Sequence, residues 1–133
     1  MQTHKHWLLI AKEDLDSAKH LFSGSFVTGL FHAQQCAEKS LKAYLVFKNV
    51  DFPYTHDIFR LLELCAEHAD WAETLENAKR LTLYAITTRY PGTEDKVTRD
   101  EALHAIELAS QVREVVRNAL SKEGMTIEED TWQ

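Results

Sequence analysis

Residues 30–48 read LFHAQQCAEKSLKAYLVFK, and the remainder of the chain is best understood from them. The stretch is dense in helix formers and holds neither Gly nor Pro. An advance of about 100° per residue puts Leu30, Phe31, Ala37, Leu41 and Leu45 on one apolar stripe. Gln34 falls near the middle of that stripe, Glu38 roughly 40° to one side, and Lys42 at its edge. A buried amide or carboxylate is costly unless it has a partner. The helix therefore predicts that Gln34, Glu38 and Lys42, each a helical turn from the next, face polar groups supplied by other parts of the chain. Lys39 points elsewhere and reads as solvated.

Before this stretch, a first helix over about 5–21 carries Leu8, Ala11, Leu15, Ala18 and Phe22 at alternating spacings of three and four, one buried face. Ser23-Gly24-Ser25 ends it, and the short connection predicts an antiparallel hairpin with the second helix, about 26–48. A loop fixed by Pro53 follows. Thr55 is a candidate N-cap for a third helix over about 57–68, with His56 in its first turn and Ile58, Leu61, Leu62 and Cys65 in the core. A break at 70–73 folds Trp71 back over the core. A fourth helix, about 75–89, ends at Arg89-Tyr90-Pro91, because the residue before a proline avoids the helical conformation. Thr98-Arg99-Asp100-Glu101 reads as a capping box. It opens a fifth helix with Leu103, Ile106, Ala109, Val112, Val116 and Leu120 as its stripe. The expected fold is all-α: a single-domain up-down bundle of about five helices over 1–122, followed by a mobile acidic tail over 123–133 that carries Trp132.

Composition narrows the function classes. A chain of 133 residues suits one domain and is long enough for a core without a metal or disulfide staple. Four Gly and two Pro leave little material for a turn-rich β architecture. A net charge of −6 repels the phosphate backbone and anionic lipid, so neither stable DNA binding nor membrane association is expected. Cys36 and Cys65 stand alone in helical patterns and read as reduced thiols of a cytoplasmic protein. No apolar run approaches the ~18 residues of a membrane span. Seven histidines occur without an HxxxH or HExxH spacing, so no metal and no cofactor is expected.

The groups able to meet Gln34, Glu38 and Lys42 are His56 and Arg89. An arginine leaving the end of the fourth helix can pair with Glu38 or take a phosphate in bidentate fashion. The plainer readings stand beside these. The polar row can fix helix register, His56 can be a local structural group, and Arg89 can compensate a helix dipole. Nucleophilic catalysis has no support in the sequence.

Several segments together resemble a known family. They are Trp7 with Ala11, Asp14-Leu15 and Ala18, then 31–43 (FHAQQCAEKSLKA), then Thr55-His56, Arg89-Tyr90-Pro91 and Val97-Thr98. Their order is similar to that of the HEPN domain (higher eukaryotes and prokaryotes nucleotide-binding). The resemblance spans roughly residues 5 to 121. It implies a compact helical bundle in a small stand-alone prokaryotic protein, a homodimer, encoded beside a minimal nucleotidyltransferase in a toxin–antitoxin type pair. Many members are metal-independent ribonucleases that use an Arg, a polar residue and, a few residues on, a His. Here Arg89 matches, but Tyr90 takes the polar position and no histidine occurs between Tyr90 and Lys96. The resemblance thus implies binding of a nucleotide or RNA by Gln34, Glu38, Lys42, His56, Arg89 and Tyr90. Two alternatives stay open: a ribonuclease toxin using Arg89 with His56 as its catalytic candidates, and a purely structural interaction module.

Overall fold

A computed structural model describes residues 4–21, 26–79 and 97–124. The first helix, α1, spans His4–Leu21, and α2 spans Phe26–Phe47. The short α3 spans Ile58–Ala66, a 3-10 helix covers Asp70–Lys79, and α4 spans Arg99–Lys122. Among the described residues there is no strand.

The long α2 is the centre of the molecule. From Ala33 to Leu45 its side chains are buried on nearly every side, except the partly covered Gln35 and Lys39. A helix enclosed all round needs neighbours on several faces. The contacts fix their directions. His4 stacks edge-on to Phe47, and Asp14 reaches Lys39 and His32, so α1 runs antiparallel to α2. The Cys36 thiol points at the Ala109 carbonyl and Lys48 pairs with Glu123, so α4 runs parallel to α2. Leu8, Ala11, Leu15 and Ala18 from α1 and Ala105, Ala109, Val112, Val116 and Leu120 from α4 fill the space between. The alanines let the helices approach closely.

Local chemistry ends each element where it ends. Asn49 sits at φ 58, in the left-handed region. The Val50 N–H donates to the Leu45 carbonyl at 2.9 Å and the Asn49 N–H to that of Val46 at 3.1 Å, a Schellman closure of α2. The Thr98–Glu101 capping box is present in both directions, at 3.1 Å each way. Trp71 lies edge-on to Tyr44 at 4.8 Å and covers part of the core.

Several expectations are corrected. Phe31 and Leu103 are exposed rather than core. The stripe of α2 runs through Leu30, Ala37, Leu41 and Leu45, and that of α4 through Ala102 and Ala105. Asp57, not Thr55, caps α3, accepting from the Phe59 N–H at 3.0 Å. Thr55 acts one step earlier, accepting from the Asp57 N–H at 3.0 Å. His56 therefore precedes the helix instead of lying in its first turn. Lys39 is not merely solvated, since it donates to Asp14 at 2.7 Å. Tyr44, outside the apolar stripe read for the second helix, is buried too. Residues 70–79 form a 3-10 helix kinked at Leu75, where an α-helix was expected to begin. Glu123 caps α4 and pairs with Lys48 at 2.6 Å, and residues 125–133 of the expected tail lie outside the described residues. Arg89 and Tyr90, the rest of the expected fourth helix, Ser23-Gly24-Ser25 and Trp132 lie outside the described residues.

Candidate functional site

The polar row on α2 meets the loop that leads into α3. Glu38 is 2% exposed, yet its Oε1 accepts two hydrogen bonds. One comes from Lys42 Nζ at 3.0 Å, one turn along the helix. The other comes from His56 Nδ1 at 2.6 Å. An ionised carboxylate only accepts, so Nδ1 carries the proton and Nε2 is the outer nitrogen of the ring. The His56 side chain is 41% exposed. A buried acid thus holds a half-exposed imidazole by one nitrogen and presents the other. The second oxygen, Glu38 Oε2, is buried and accepts from no group among the described residues.

Lys42 is buried as well, and aromatic rings surround its ammonium. Nζ lies 5.6 Å from the ring centre of Trp7, 5.9 Å from Phe52 and 5.8 Å from Tyr54. Ring faces attract a cation, which offsets part of the cost of taking this charge out of water. Tyr54 is 91% exposed and stands edge-on to His56, ring centres 5.4 Å apart. Phe52 also borders a neighbouring cleft of about 410 Å³ with Val46, Asn49, Val50 and Asp51.

Of the residues expected at a site, the structure brings Glu38, Lys42 and His56 together. Gln34 is buried one turn before Glu38, but its amide is not on the carboxylate. Sequence reasoning missed Phe52 and Tyr54, which flank Pro53 in a loop and so leave no periodic signal. Trp7 was visible only as part of the resemblance. The thiols are not chemical candidates: burial pushes both Cys36 and Cys65 up to about 12, far from a reactive thiolate. Burial is also the largest influence on Arg113, whose guanidinium it lowers, and on Tyr44, whose hydroxyl it raises to about 12. Among the described residues no three His, Cys, Asp or Glu side chains gather to hold a metal. None of the described helices is long and apolar enough to cross a membrane.

Comparison with known proteins gives this geometry a context. The model of the HEPN domain family matches residues 4–119. A protein of Methanocaldococcus jannaschii named "Putative toxin MJ1304" is 28% identical over 129 residues, covering 84% of each chain. The crystal structure of TT1696 from Thermus thermophilus superposes with a TM-score of 0.79 at 31% identity, over 89% of this chain and 98% of that one. ST0689, an archaeal HEPN homologue, superposes with a TM-score of 0.74 at 23% identity, over 90% and 99% of the two chains, a likeness of fold.

Proposed function

This chain belongs to the HEPN domain family, and on that basis we propose that it binds a phosphate-bearing ligand, a nucleotide or RNA, at His56. The observation that carries the reading is the imidazole pinned by buried Glu38 at 2.6 Å with its outer edge toward solvent. Fixing one nitrogen on an acid orients the ring, and protonation of the other makes it a donor to a phosphate oxygen. Lys42 and its aromatic surround hold the acid in place, so they are positioning groups. Arg89 is the natural second cation and Tyr90 its neighbour; Gln34 supports the helix face. The relative named as a toxin supports a role of that kind. The resemblance supports a cytoplasmic homodimer working with a minimal nucleotidyltransferase in a toxin–antitoxin type pair.

Calorimetric titration of the full chain with ATP and with short RNA tests the reading. Heat of binding in the wild type, lost in His56→Ala and weakened in Arg89→Ala, is the expected result. Equal binding by wild type and both variants overturns it.

One observation favours a second reading, ribonuclease action. A histidine oriented by a carboxylate is an arrangement that can serve general acid–base cleavage through a 2′-hydroxyl. Expression without the partner then arrests growth, and His56→Ala relieves the arrest. Unaffected growth of the wild type removes this reading and leaves the binding role.

A further inference from the structure

The arrangement around Glu38 occurs a second time. Asp14 of α1 holds His32 through Nδ1 at 3.0 Å and Lys39 through Nζ at 2.7 Å. In each set one carboxylate takes one ammonium and one imidazole. In each, an exposed aromatic ring stands edge-on to that imidazole. Tyr54 meets His56 at 5.4 Å and 75°, and Phe31 meets His32 at 5.5 Å and 73°. Phe31 is 46% exposed although it lies on the central helix, so core packing does not account for it.

The two sets lie along one seam. Both draw their lysine from α2. On α1, Trp7 serves one set and Asp14 the other, two turns apart on the same face, about 10 Å along the axis. An extended nucleic-acid strand covers that separation in a few nucleotides. Each set offers two things such a strand needs: an exposed ring for a base to stack on and a partly exposed imidazole, held by its acid, to meet a phosphate. The net charge of −6 disfavours diffuse attraction of a polyanion, so discrete stations must supply the contacts.

We propose that Asp14, His32, Lys39 and Phe31 form a second nucleotide station, and that the ligand is a single-stranded polynucleotide lying along the α1–α2 seam rather than a mononucleotide. The proposal rests on the reading of His56 as the first station. It deepens that reading by naming the ligand class and the path of the strand.

The test compares a 2′-O-methyl mononucleotide, a 2′-O-methyl oligoribonucleotide of several residues, which resists cleavage through the 2′-hydroxyl, and DNA of the same length. Binding to the full chain is followed by calorimetry, with folding of each variant checked by circular dichroism. The wild type is expected to bind the oligomer roughly tenfold or more tighter than the mononucleotide. Phe31→Ala and His32→Gln should remove that gain and leave mononucleotide affinity unchanged. His56→Ala should weaken both ligands. A preference between the RNA analogue and DNA identifies the source of the strand. If the oligomer keeps its advantage in both α2 variants, the second station is overturned. It is also overturned if Phe31→Ala acts by converting a dimer to monomers, because the ring then covers a second copy. An oligomer gain that depends on Phe31 and His32 while His56→Ala changes nothing keeps this station and overturns the first. Wild-type protein that binds none of the three ligands overturns both.

Discussion

Glu38 engages two partners, Lys42 and His56, through one buried oxygen. Removing one member of a buried pair leaves the other charged and unpaired, which costs about 3–5 kcal/mol. Lys42→Met leaves Glu38 with the His56 bond alone, so it is expected to destabilise the fold by up to about 3 kcal/mol in urea denaturation. Adding Glu38→Leu to Lys42→Met should recover part of the loss, because no bare charge remains. A second expectation concerns the thiols. Burial favours their protonated form in the folded state, moving them from 9.0 up to about 12. A raised folded-state value means that stability from this source is intact below pH 9.0 and declines as pH rises toward about 12. Alkylation at pH 8 should accordingly proceed only as fast as unfolding, measured by mass spectrometry against time. Among single residues, the polar row was legible because Gln34 and Glu38 interrupt an apolar stripe. The Asp14–Lys39 link was not, since it depends on how α1 and α2 slide against each other, which no local pattern encodes.

Elements are bounded by residues whose cost can be measured singly. Asn49 holds the left-handed turn after α2 at φ 58. Asn49→Ala should cost about 1 kcal/mol, whereas Asn49→Gly should stay within a few tenths, because glycine meets no steric penalty there. Thr98→Ala removes the capping box of α4 and should also cost about 1 kcal/mol. Thermal denaturation of the three variants checks both statements. The capping box was readable because Thr98 and Glu101 have a fixed spacing. The cap of α3 was not, since Thr55 and Asp57 are both good caps and only the path of the loop selects Asp57. That shift of two residues matters, for it puts His56 outside the helix and free to turn back to Glu38.

For the molecule as a whole, the all-α class followed from scarce Gly and Pro and from helical spacing in every apolar segment. The depth of α2 did not follow. A single stripe was visible, yet Ala33, Cys36, Ser40, Ala43 and Tyr44 on its other faces are buried too. Small residues carry little periodic signal, and their burial appears only when α1 and α4 close around them. The same closure gathers Trp7, Phe52 and Tyr54 around Lys42 and makes a rigid support for the His56 ring. The role of that ring can be read by nitrogen-15 correlation spectroscopy of His56 during titration with the 2′-O-methyl oligoribonucleotide. Nε2 is expected to shift in step with binding while Nδ1 keeps the signature of its bond to Glu38. Saturation of the protein with both His56 nitrogens unmoved would refute the assignment.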